Sequence, residues 1–374
     1  MAWKFPTVCC IALGFGGAGC SQPEEVPTSQ LIDIVVDKSI DEDSLWTAAA
    51  KRAGLRVVLG SSEYQFGHAA ASDGAELGVV DFGVLLGDGR AVISDFSKHR
   101  LVYLSPRGEL LSLFGRRGEG PGEIGQAGGM YLQADGNLVF RDNQLQRATV
   151  LTPAENSLDL RRSYPVASYA RPICALADVT VGVRYRPQVQ RTIETRSLDG
   201  KRVNYIGLPL FKATNNLNVI ATNGSLLCLP DKAQVVFAAQ TGDLLAYRRD
   251  GSVAWRRKLA DFVPSQVKEV GSGVLLTAAP PPLNRSVTVR ALVRLDSITA
   301  LLQMVMLVRR GEGKTSVVER SGIESRIIAL EDGAELGRQT DLPLMLDVRD
   351  GMALTYAEEP EPMVGLVRLR LMPR

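Results

Sequence analysis

Histidine is nearly missing from this chain, with only His68 and His99 among 374 residues. That scarcity argues against a histidine-rich zinc centre and weakens any Ser-His-Asp arrangement. HExxH, CxxC and GxSxG do not occur either, so the common hydrolase signatures are missing. Charge of one sign is also lacking: 43 Lys and Arg against 41 Asp and Glu leave a net +2, too little to steer the chain toward nucleic acid. Lys is the rare base, 10 against 33 Arg, a bias that genome composition explains more cheaply than phosphate binding. No apolar run reaches the ~20 residues of a spanning helix. Ile298–Val308 comes nearest in the body of the chain and reads as a core strand pair or a buried segment.

What is present begins with an export signal. Met1–Gly19 carries one Lys, an apolar run and then small residues ahead of Cys20, the n-region, h-region and cleavage pattern of a secretory signal. Gly17–Cys20, GAGC, resembles a bacterial lipobox, with Gly17 where a branched residue usually stands; it implies a lipidated Cys20. Ordinary cleavage nearby, or a buried N-terminal helix, is the alternative. Residues 20–44 would then be the lipidated start and a tether, since Ser21–Gln30 is polar and proline-containing. Ser21 is not the Asp that holds many lipoproteins at the inner membrane, which leans toward the outer membrane. Removing the signal and acylating Cys20 leaves two of the five cysteines as thiols, Cys174 and Cys228. They could pair in an oxidising compartment. Each sits in an apolar strand-like run, however, and separate buried thiols are the preferred reading.

The body, residues 45–374, reads as all-β. Leu31–Val36 could be a short strand, Leu45–Ala53 is the one plausible helix before the main body, and Leu55–Gly60 is a strand. From Val84 the chain repeats itself. Asp88, Asp95, Arg100 and Pro106 are matched 47 residues on by Asp135, Asp142, Arg147 and Pro153. Asp-Gly turns separate the short strands of each unit. With Leu101 marking the third strand of the first unit, weaker copies start at Ile193, Leu244, Leu292, Ile327 and Leu366. A period near 45 with four short strands predicts a β-propeller. Counting markers gives seven. The last two are compressed and can share a blade, so six blades is the expectation and seven the alternative. Leu55–Gly60 is expected to pair with Leu366–Leu371, closing the ring with strands from both ends of the chain.

Between the two best repeats lies Phe114–Gly125, FGRRGEGPGEIG. With the second repeat it resembles the NHL-type repeat and, more specifically, an NHL/TolB-like family of exported bacterial six-bladed propellers with a GEGPGE-type loop. Pro121 and Glu123 hold their family positions, and Ile124 replaces the usual aromatic. The run from Asp341 resembles the closing blade of such proteins. The resemblance implies a propeller fold and export, and no agreed substrate.

Several constellations invite chemistry. No Lys-Ser or Lys-Thr follows the glycine-rich loop, which excludes a P-loop. Arg116, Arg117, Glu119 and Glu123 could instead form a charged rim, the candidate binding loop. Against this stands a plainer role, in which the glycines permit a sharp blade-to-blade crossing while Glu123 binds backbone or an Arg. Asp95 with Arg100 and Asp142 with Arg147 recur at one spacing, which points to scaffolding by a carboxylate that caps backbone N–H groups. His99 should be solvated, and His68 has no visible partner. The Arg pairs 161–162, 248–249, 256–257 and 309–310 need not form patches, because neighbours on a strand face opposite sides. Propeller enzymes of the lactonase type hold a calcium-like ion with oxygen ligands. Asp81, Asp178, Asn215, Asn216, Asn218 and Asp347 are available here for such a site.

The resulting expectation is an extracytoplasmic, lipid-anchored binding or scaffolding module facing the periplasm or cell surface. Its partner would be a protein, peptide or glycan of the envelope, with no nucleic acid, no assigned catalytic residue and no required cofactor. The alternative is a metal-dependent hydrolase or lyase with a divalent cation such as calcium in the tunnel. A purely structural envelope protein is a third reading.

Overall fold

A computed structural model of the chain describes residues 54–67, 76–166, 173–186, 191–198, 203–207, 224–264, 266–270, 273–277, 285–310, 317–358 and 360–373. The expectations for Cys20 and the tether, for Leu31–Val36 and Leu45–Ala53, and for His68, Asn215, Asn216 and Asn218 lie outside those residues.

After β1 (Leu55–Phe66), the first blade is β2 (Val80–Leu85), β3 (Ala91–Asp95), β4 (Arg100–Leu104) and β5 (Leu110–Phe114). The second is β6 (Ala127–Leu132), β7 (Leu138–Asp142), β8 (Arg147–Pro153) and β9 (Leu158–Pro165). The third is β10 (Ile173–Leu176), β11 (Val179–Arg186), β12 (Arg191–Ser197) and β13 (Val203–Ile206). The fourth is β14 (Gly224–Leu229), β15 (Gln234–Ala239), β16 (Asp243–Arg248) and β17 (Val253–Lys258). A hairpin of β18 (Gln266–Val270) and β19 (Gly273–Thr277) precedes the fifth blade. That blade is β20 (Arg285–Arg294), β21 (Thr299–Arg310), β22 (Val317–Ala329) and β23 (Glu335–Gln339). The sixth is β24 (Leu344–Arg349), β25 (Met352–Ala357) and β26 (Met363–Pro373), completed by β1. All six sheets are four-stranded and antiparallel, and they are arranged as propeller blades.

The expected closure is present and longer than Leu55–Gly60. Strand β1 pairs with β26 from Leu55 opposite Pro373 to Phe66 opposite Val364. The sheet edge at the chain ends is thereby covered. The innermost strands form a closed circuit, β2 beside β6, β10, β14, β20, β24 and again β2. Along β3, β7 and β15 successive residues, which point to opposite faces, are nearly all buried, so both sheet faces there meet a neighbouring blade. The core is accordingly six wedges, one at each blade–blade interface. No blade could bury these faces alone.

The blade count explains the surplus marker. Leu101, Ile193, Leu244, Ile327 and Leu366 lie on third strands, but Leu292 lies on β20, the first strand of the fifth blade. Ile327 and Leu366 therefore belong to separate blades, and the crowded pair is Leu292 with Ile327. Ile298–Val308 is not a strand pair: Thr299–Arg310 is one strand, with Thr299–Met304 buried.

Four inner strands share a local irregularity. Their pairing skips a residue at Asp81, Gly128, Arg290 and Leu346, and such bulges bend a strand and re-aim a side chain. In the first two blades the second strand ends opposite the bulge, at Asp95 and Asp142. In the fifth, Met304 occupies that level and β21 continues to Arg310. Those six further residues run about 20 Å past the level at which the second strands of the first two blades end.

Candidate recognition face

The face reached by that extension is also the one on which each blade's described outer strand ends and the next blade's inner strand begins. Inner strands run down from it and outer strands return to it. Twelve residues join β5 to β6, seventeen join β13 to β14 and twenty-six, including the β18–β19 hairpin, join β17 to β20. Turns on the opposite, lower face span only two to five residues. Long connections on a rigid frame are where recognition is usually carried.

The glycine-rich loop of residues 115–126 lies on this upper face and is fastened from below. The backbone N–H of Ile124 donates to the carbonyl of Arg116 at 2.7 Å. Ile124 itself is buried between the first two blades, doing with an aliphatic side chain what an aromatic would do there. The Glu123 carboxylate turns back into the loop. Its Oε2 accepts from Gly120 N–H at 2.7 Å, and its Oε1 accepts from Arg116 Nε at 2.9 Å. The Gly120 N–H and then the Arg116 guanidinium hold this carboxyl below the usual range. A Cβ on Gly118 would stand 2.1 Å from Glu123 Oε2 and push the carboxylate out of this position. From beneath, Arg147 donates to the carbonyl of Glu119 at 2.9 Å and to that of Glu123. Asp142 accepts from the N–H groups of Gly125, Gln126 and Leu145 at 2.6, 3.1 and 2.9 Å.

The four loop residues therefore divide. Glu123 is a clasp, whereas the side chains of Arg116, Arg117 and Glu119 are exposed. Arg116 still reaches Glu123 while remaining 83% exposed.

The same fastening exists one blade earlier, at a place the repeat alignment did not reach. Asp95 accepts from Gly78 N–H at 3.2 Å and Lys98 N–H at 3.3 Å. Arg100 donates to Asp95 at 3.3 Å and to the carbonyl of Glu76. Glu76, Leu77 and Gly78 lie 47 residues before Glu123, Ile124 and Gly125, so the offset extends into the connection ahead of the first blade. The signal was available as Glu-Leu-Gly against Glu-Ile-Gly. His99 is the left-handed residue of the repeated turn, at φ 52°, as Gln146 is at 48°. It is half-buried against Phe96, with ring centroids 6.5 Å apart, rather than solvated.

The described tunnel candidates, Asp81, Asp178 and Asp347, do not converge. Asp81, on its bulge, faces Arg290 on the bulge of β20 at 3.6 Å. Asp178 sits in the lower turn between β10 and β11 and pairs with Arg249. Asp347 on β24 accepts from Leu85 N–H of β2 at 2.8 Å and from Val348 N–H at 2.9 Å. Burial pushes its carboxyl up to about 6, against the opposing pull of the Leu85 N–H and the Arg349 charge. Among the described residues no three His, Cys, Asp or Glu side chains gather as metal ligands.

The cysteines correct an expectation. Cys174 of β10 and Cys228 of β14 form a disulfide, with Cα atoms 5.7 Å apart, and are not separate thiols. The two runs are inner strands of adjacent blades, a proximity that only the closed ring creates. The Arg256–Arg257 pair on β17 does split. Arg256 binds Asp243 at 2.9 Å within its own blade, while Arg257 donates to the Asp332 carbonyl of the next blade at 2.8 Å.

No family model and no curated protein matches this sequence. Solved structures do. A member of the DUF4221 family from Bacteroides vulgatus is similar at a TM-score of 0.59 and 11% identity, over 86% of this chain and 100% of that one. A protein from Bacteroides fragilis, described as exported, is similar at a TM-score of 0.51 and 8% identity, over 84% of this chain and 95% of that one. At such identities the likeness is one of fold.

Proposed function

We propose that this chain is an exported, lipid-anchored propeller acting as a binding or scaffolding module. In this reading the upper face, led by the Arg116–Glu123 loop, engages a protein, peptide or glycan partner in the cell envelope. One observation carries it: the loop backbone is ordered by Glu123, Arg147 and Asp142, while Arg116, Arg117 and Glu119 project into solvent. A surface already ordered loses little entropy on binding. The disulfide supports an oxidising compartment, as do the Met1–Gly19 signal, Cys20 and the resemblance to exported propellers with a GEGPGE-type loop.

A photo-crosslinking residue at position 117, tested in cells, should capture a defined envelope partner. The same residue at Glu109, in a lower-face turn, should not. Equal capture from both positions, or none from 117, overturns the reading. The anchor is tested separately: Cys20→Ala should release the protein from membranes.

A further inference from the structure

The lower face holds a cavity of about 630 Å³ at the mouth of the ring. Inner-strand turns of the first, second, third, fourth and sixth blades surround it. Its volume is that of an ordinary small-ligand site. Comparison of the repeats shows what is unusual in it. The turns of the first, second and sixth blades read Gly87-Asp88-Gly89, Ala134-Asp135-Gly136 and Arg349-Asp350-Gly351. Two of the three residues ahead of the Asp are small, and the third is an arginine. The Arg349 guanidinium lies against Gly87, 4.0 Å from where a Cβ would stand on that glycine. It is exposed, and no hydrogen bond or ion pair engages it among the described residues; Asp347, two residues away, commits its oxygens to Leu85 and Val348.

The second departure is at Asp135. In the first blade the corresponding Asp88 is neutralised by Arg90, at 2.6 Å. Forty-seven residues on, Asn137 takes the place of Arg90. Asn137 donates to both Asp135 oxygens, at 3.0 and 2.6 Å, but brings no charge. The cavity therefore carries on the second blade a carboxylate with no cationic partner, and on the sixth, flanking the first, a guanidinium that feels the Asp347 charge but has no hydrogen bond or ion pair among the described residues. Leu132, Leu176, Pro153 and Pro230 supply apolar wall between the turns.

We propose that this cavity binds a small apolar zwitterion, of which a short peptide with free termini is the fitting example. Arg349 receives the carboxylate through a charge-assisted pair, Asp135 receives the ammonium, and the apolar wall receives the side chains. This site is on the opposite face from the loop and stands or falls independently of it.

The test is calorimetric titration of the folded protein with the dipeptide Leu-Leu, its N-acetyl form and its C-terminal amide. The free dipeptide should bind saturably, and each capped form about tenfold or more weaker, the worth of one charged hydrogen bond. Arg349→Gln should weaken the free dipeptide to the level of its amide on the unaltered protein. Asp135→Asn, which keeps an acceptor for Asn137, should weaken it to the level of the acetylated form. Gly87→Leu tests the location without altering charge. Its φ is not in the left-handed region, and its only close neighbour is Arg349, so the melt should hold while binding is lost. Absence of saturable binding, equal binding of capped and free forms, or binding that survives Gly87→Leu overturns the proposal.

Discussion

The side-chain amide of Gln339 grips the backbone of Val57 from both sides, accepting from its N–H at 2.6 Å and donating to its carbonyl at 3.0 Å. It thereby behaves as one more strand residue, joining the outer strand of the fifth blade to the closing strand of the sixth. Two other glutamines act alike between blades. Gln240 bonds both backbone groups of Val289, and Gln303 bonds Met345 N–H and the Pro343 carbonyl. Removing the amide leaves a half-buried donor and acceptor unmet, at about 1–3 kcal/mol. Gln339→Ala should lower the urea midpoint accordingly. Gln339→Glu should do no better than half, because a carboxylate cannot donate to the Val57 carbonyl. An unchanged midpoint for both would remove this clasp from the account of closure.

The disulfide between Cys174 and Cys228 closes a loop of 54 residues. Loss of that constraint costs about 2–4 kcal/mol in the chain-entropy treatment. Cys228→Ser should lower stability by that order. Thiol titration of the exported, denatured protein should show no free thiol at either position until reductant is added.

Asp142 satisfies three backbone N–H groups of the crossing between the first two blades. Asp142→Ala should therefore cost about 3 kcal/mol or more. Arg147→Ala acts more locally, releasing the carbonyls of Glu119 and Glu123. Trypsin should then cut after Arg116 or Arg117 faster than in the unaltered protein, with a small change in the melt. Equal cutting rates would mean that the loop is ordered by other means.

Asp347 predicts a pH trend of definite sign. Its folded-state pKa, about 6, lies above the ordinary 3.8, so the folded chain holds this proton to higher pH than the unfolded chain does. Its contribution is fully present below the unfolded value and is lost as pH rises through about 6. Asp347→Asn keeps an acceptor for Leu85 N–H and does not titrate. The variant should gain on the unaltered protein as pH rises from about 4 to about 7, measured as the difference between urea midpoints. A difference that shrinks over that range contradicts the assignment.

The propeller was legible because its signal is local and repeated. Asp-Gly turns recur, and Asp95 and Asp142 stand at one offset. The partner of β1 was legible too, because a lone N-terminal strand needs a cover. Leu292 misled because β20 ends in an apolar run before a turn, as third strands do, and third-strand character cannot be told from first-strand character by pattern alone. The Cys174–Cys228 bond depends on which inner strands the ring makes neighbours, and the meeting of Asp81 with Arg290 on the ring bringing the first and fifth blades within reach past the sixth. No spacing within the chain encodes that. The loop residues were found from sequence, and the plainer reading, in which Glu123 binds backbone or an Arg, describes Glu123, which binds both Gly120 N–H and Arg116; that Glu119 turns outward instead is not encoded in its residue type.

The pairing of β1 with β26 also sets a timetable. Strand β1 waits for β26, whose Pro373 lies 318 residues beyond its partner Leu55, before its edge is covered. Contacts of such long separation form slowly, and an uncovered strand is an invitation to pair with the wrong chain. The sixth blade therefore cannot be completed until β26 has arrived, and until then β1 is an open edge.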